Sequence, residues 1–201
     1  MATMTRKGYG QVEPNHLSAQ YTGQIYAQLP ALTIGTPNTA ITQLENGQFL
    51  KYDYKNGAAS VSGSGEWMLV FNEVKLYDER RQNYKDFAMK SDDFTDGKIY
   101  PRLLKTNVGD IFTTNTFLSN DATPVTVSGP DQEITMPALA VGDYLQISDA
   151  GWLTKYTPGA SDPDMPASGI VFQVVPHFTQ GSNEYFTLPD GQNAVKIQRV
   201  Q

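Results

Sequence analysis

The stretch Gly47-Gln48-Phe49-Leu50-Lys51-Tyr52-Asp53-Tyr54, followed after a Gly/Ser loop by Trp67-Met68-Leu69-Val70-Phe71-Asn72-Glu73-Val74-Lys75-Leu76-Tyr77, decides the fold class. It reads as a glycine turn, a strand, a polar excursion and an apolar strand. Leu50, Tyr52 and Tyr54 alternate with Lys51 and Asp53, the period of two that a pleated strand imposes. Asn56-Gly57 signals a turn, and Gly63-Ser64-Gly65 supplies flexible backbone before Trp67. Met68 to Tyr77 is rich in strand-forming residues, with alternation at Val70, Asn72, Val74 and Leu76.

The same grammar recurs. Gly142-Asp143-Tyr144-Leu145-Gln146-Ile147-Ser148 is followed by a longer loop and by Ile170-Val171-Phe172-Gln173-Val174-Val175. Aligning Val70-Phe71-Asn72 with Val171-Phe172-Gln173 makes the second copy's loop six residues longer. A shorter echo lies between, at Gly109-Asp110-Ile111-Phe112-Thr113-Thr114. At the C-terminal end, Tyr185-Phe186-Thr187-Leu188 and Ala194-Val195-Lys196-Ile197 flank Pro189-Asp190-Gly191, a hairpin signature. Many short strands at this spacing predict an all-β protein: small barrel or sandwich lobes with an internal pseudo-repeat. The divisions are residues 1–35, an N-terminal arm, 36–100, a first lobe, and 101–201, a second, with one continuous β-domain as the alternative.

The arm is polar, with Tyr9, Tyr21 and Tyr26 spaced along it. Two conformations compete. Pro14-Asn15 opens a helix that puts Leu17, Tyr21, Ile25 and Leu29 on one face, or the arm is extended on another surface. It has too few large apolar residues to make its own core. An arm of this kind predicts a partner surface, with Arg6, Lys7, Tyr9, His16, Leu17, Tyr21, Ile25 and Tyr26 as its contacts.

Composition narrows the function. The net charge of −6 repels nucleic acid, and the one basic cluster, around Arg80-Arg81, is diluted by Asp78, Glu79 and Asp86. No cysteine is present, which removes disulfides, thiolate nucleophiles and Cys-held metals. No apolar run approaches the length of a membrane span, and no signal-peptide pattern is visible. Asp92, Asp93 and Asp96, and the pair Asp162 and Asp164, lack the ligand spacing of a calcium loop. His16 and His177 sit in no catalytic motif, and Gly63-Ser64-Gly65 runs into a strand rather than a phosphate-binding helix. The expectation is therefore no catalytic residue, no cofactor and no metal. Trp67 and Trp152 are the candidates for a sugar-stacking surface.

The repeat at Gly47–Asp53 with Trp67–Tyr77 resembles small β-rich decoration (cement) proteins of tailed-phage heads. Ala167-Ser168-Gly169-Ile170-Val171 matches their later Gly-apolar-apolar strand. Asp86-Phe87-Ala88, Tyr100-Pro101-Arg102 and Val108 to Asn115 are similar to virion structural proteins of phages of Gram-positive hosts. The chain is about twice as long as a lambda-type decoration protein and carries the doubled repeat. The resemblance implies a virion protein on the phage head surface, assembled in the host cytoplasm. It also implies binding to the major capsid protein and self-association as a trimer. A tail or head-fibre component and a carbohydrate-binding β-module are the alternatives.

Overall fold

The computed structural model describes residues 4–13, 25–28, 41, 43–53, 57–62, 64–72, 88–90, 100–118, 127–129, 131–158, 168–176, 185–188 and 190–201, with 25–28 described through their backbone only. Every regular element among them is a strand. The all-β expectation holds.

The first repeat forms β4 (Phe49–Asp53), β5 (Ala58–Ser60) and β6 (Trp67–Val70). β4 lies between the other two and is antiparallel to both. The second repeat forms β11 (Tyr144–Ile147), β12 (Leu153–Tyr156) and β13 (Val171–Val174), again with the first strand in the middle and antiparallel to its neighbours. The polar excursion of each copy thus contains a strand.

The turn that opens each copy is the same device, and it occurs three times. Gly47, Gly109 and Gly142 have φ of 92°, 96° and 93°. Each sits third in a four-residue turn, where a type II turn requires positive φ. The fourth residue's amide donates to the first residue's carbonyl: Gln48 to Glu45, Asp110 to Asn107 and Asp143 to Ala140. That fourth side chain then takes the first residue's amide, from Glu45 at 2.6 Å, Asn107 at 2.7 Å and Ala140 at 2.8 Å. The glycine amides donate to Val70, Arg199 and Val174, whose own amides donate back to Gln48, Asp110 and Asp143. Val70 is therefore equivalent to Val174, not to Val171. The sequence alignment of the two copies is displaced by three positions, because it matched Val-Phe dipeptides while the ladder registers on the turn.

The third turn opens β9 (Ile111–Thr114), whose partner is the C-terminal strand β15 (Asn193–Arg199). The second repeat is thus inserted between the two strands of the third unit. β15 also pairs with β13 and with β14 (Phe186–Thr187), the expected C-terminal hairpin, closed by Gly191 at φ 82°. These strands make a six-stranded sheet.

The other large sheet has the order β2 (Ile25–Gln28), β8 (Arg102–Leu104), β6, β4, β5. β8 falls within the expected second lobe by sequence but belongs to the first lobe's sheet. The extended, paired backbone of β2 also departs from a helix carried through Ile25. β6 is buried on both faces, which accounts for its unbroken apolar run rather than a clean alternation. Trp67 and Leu69 face the main core, which also holds Phe49, Phe112, Leu145 and Phe172. Met68 and Val70 face a smaller core with Leu50, Leu103 and, from the ribbon β3 (Gln43–Leu44) and β7 (Met89–Lys90), Leu44 and Met89.

One main core runs through both lobes. Phe49 and Phe112 each lie 5.6 Å from Phe172, ring centroid to centroid, each ring coming from a different repeat unit. The tip of the β11–β12 hairpin docks on the first sheet, where the Phe49 amide donates to the Gly151 carbonyl at 2.7 Å. Gly151 has φ 79°, and a side chain there collides with the Phe49 carbonyl.

A candidate functional site at a buried polar junction

The N-terminal strand β1 (Thr5–Lys7) pairs with β10 (Glu133–Thr135). Its alternation puts Thr5 and Lys7 outside and Arg6 inside. Arg6 and Glu45 both have fully buried side chains, with Nη1 donating to Glu45 Oε2 at 2.8 Å. The Gly10 amide donates to the same oxygen at 2.5 Å, and Gln43 Nε2 donates to Oε1 at 2.9 Å. Trp152 covers the guanidinium, with Cζ 5.4 Å from the ring centroid. A buried charge is tolerated only when it is neutralised and hydrogen-bonded, and Glu45 meets that condition from three donors.

The polar cluster continues from this pair. Asn46, Gly47's neighbour in the first turn, exchanges two hydrogen bonds with the Asn72 backbone, at 2.7 and 3.0 Å. Thr116 Oγ1 donates to the Asn46 carbonyl at 2.6 Å, and Thr114 Oγ1 donates to the Gln11 carbonyl at 2.7 Å. The Gln11 amide donates to Asn115 Oδ1 at 2.8 Å, and the Gln11 side chain reaches Asp190 Oδ2 at 3.1 Å. Residues 4–13 and both large sheets are thereby joined through buried hydrogen bonds, and the partly buried Gln11–Asp190 contact adds the C-terminal hairpin. Gly10 and Gly47 are both required by this crowding. A Cβ on Gly47 lies 2.5 Å from Thr116 Oγ1 and 2.8 Å from Thr114 Oγ1, and one on Gly10 collides with Thr116, Arg6 and Glu45.

These positions correct two of the expected partner contacts. Arg6 and Tyr9 are buried, Arg6 in the ion pair and Tyr9 in the main core beside Met4 and Val12. For Arg6 the reason is pairing: once β1 joins β10, every second side chain of the strand turns inward. Tyr9 follows the strand's end, where the chain bends. Lys7 is exposed, and its amide donates to Gln192 Oε1 at 2.7 Å. Ile25 and Tyr26 lie in β2, hydrogen-bonded to β8. His16, Leu17 and Tyr21 lie outside the described residues, as do Asp92, Asp93, Asp96, Asp162, Asp164 and His177. Trp67 and Trp152 are 4% and 5% exposed, so neither ring offers a face to a sugar. Among the described residues no group of three acidic or histidine side chains is placed to hold a metal ion.

Sequence reasoning missed Glu45, Asn46, Thr114 and Thr116. A signal was present: Thr113-Thr114-Asn115-Thr116 is a polar run continuing an apolar strand, and all four residues are fully buried. No family model matches this chain, and neither a characterised protein nor a solved structure does.

Proposed function

We propose that this chain is a structural, non-catalytic virion protein that binds and stabilises a tailed-phage head by contacting the major capsid protein, and that it acts as a homo-oligomer, a trimer. The observation carrying this reading is the use to which the buried polar groups are put. Arg6, Glu45, Asn46, Asn72, Thr114 and Thr116 hold the N-terminal segment and both sheets together, and Gln11 ties that body to the C-terminal hairpin through Asp190. Groups committed in this way rigidify the fold. They favour a rigid part whose work is done at its outer surface. The resemblance of the repeats to decoration proteins supplies the particle, its head surface and its assembly in the host cytoplasm.

The burial of Arg6 and Tyr9 moves the proposed contact. It falls on the outer face of the β1–β10 ribbon, where Thr5, Lys7, Glu133 and Thr135 are exposed. Purified protein mixed with heads lacking it is expected to sediment with them, in a fixed number of copies per capsomer. Lys7→Glu is expected to weaken that binding without changing the fold, since Lys7 points outward. Protein that stays in the supernatant at saturating head concentration refutes the reading. Labelling seen at the tail or fibres instead of the head moves the chain to a tail or head-fibre role.

A further inference from the structure

The guanidinium of Arg6 is only half used. Nη1 is bonded to Glu45, whereas Nε and Nη2 have no hydrogen-bond partner among the described residues, though Arg6 is 1% exposed. In a planar guanidinium these two nitrogens share one edge, the fork that grips an acceptor with two parallel N–H bonds. The large majority of buried side-chain polar atoms in native proteins are hydrogen-bonded. The fork is therefore a buried pair of donors that calls for an acceptor.

We infer that this edge binds one internal water molecule, which accepts from both Nε and Nη2 and completes the Arg6–Glu45 junction. Three observations select water over other acceptors. The side chains of Arg6 and Glu45 are both fully buried, so the ligand is small. The pair is already neutral at 2.8 Å, so a halide or oxyanion leaves an unbalanced negative charge inside the protein. Trp152 lies over the guanidinium, which shelters the site from exchange with bulk solvent. Water accepts two N–H bonds and brings no charge, the role that internal waters play at polar sites.

The test uses the intact protein and two measurements. Oxygen-17 relaxation dispersion counts long-lived internal waters, and a high-resolution crystal structure of protein soaked in bromide distinguishes water from anion by anomalous scattering. The expected result is an oxygen peak at about 2.9 Å from both Nε and Nη2. Arg6→Lys, which keeps the charge and removes the fork, is expected to lower the count of long-lived waters by one. A bromide peak in the fork, a protein oxygen filling it, or an unchanged count in a folded Arg6→Lys protein overturns the assignment. Should Arg6→Lys fail to fold, the wild-type crystal decides alone, because the fork then shows water, anion or protein.

Discussion

Gly47 and Gly142 occupy the same position of the same turn, with φ of 92° and 93°, yet their surroundings differ. This pair separates backbone strain from packing within one protein. Gly142→Ala places a methyl group in open space, with nothing within 4 Å. Its cost is the left-handed backbone alone, about 1–2 kcal/mol. Gly47→Ala carries the same strain. It also drives Cβ to 2.5 Å from Thr116 Oγ1 and 2.7 Å from Thr116 Cβ. Thr116 cannot turn away without losing its 2.6 Å bond to the Asn46 carbonyl. Overpacking of this kind adds about 1–3 kcal/mol, and the lost hydrogen bond about 1 kcal/mol. The expected difference between the two variants is therefore about 2–4 kcal/mol. For a chain of this size each kcal/mol moves Tm by about 2–4 °C. Urea and thermal unfolding followed by circular dichroism measure both. Equal destabilisation of the two variants would show that the turn's tertiary setting is irrelevant and would refute the crowding described for the junction.

Arg6→Ala leaves Glu45 charged and buried and is expected to cost about 3–5 kcal/mol. The double variant Arg6→Met/Glu45→Met is expected to be more stable than Arg6→Ala, because no uncompensated charge remains. A chemical-denaturation cycle checks the order, and a double variant less stable than Arg6→Ala contradicts it. Deletion of residues 1–13 removes buried Met4, Tyr9 and Val12 along with the ion pair. At about 1.5–3 kcal/mol per buried apolar side chain, the loss is comparable to the whole stability of a domain, about 5–15 kcal/mol. The truncated chain is expected to be unfolded or aggregated on expression. A soluble truncated chain with native amide dispersion in its NMR spectrum shows instead that the segment is a separable arm.

The chain's local pattern determined that it is all-β and where its repeated units begin. Gly47, Gly109 and Gly142 were legible because a type II turn needs positive φ at one position, and glycine followed by a side chain that accepts the turn's amide is a local signal. The C-terminal hairpin around Asp190-Gly191 was legible for the same reason. Pairing across distance was not. Nothing near Ile111 announces that its strand partners β15 with a whole repeat inserted between them, or that β8 joins the first sheet. The N-terminal segment is the sharpest case. Its polar composition reads as a detachable arm, since Arg6 on its own belongs in water. Only tertiary structure supplies Glu45 from a turn 39 residues away, the Gly10 amide and the Trp152 ring. A charged residue is buried when its partners are, and those partners are chosen by the fold rather than by its neighbours in sequence.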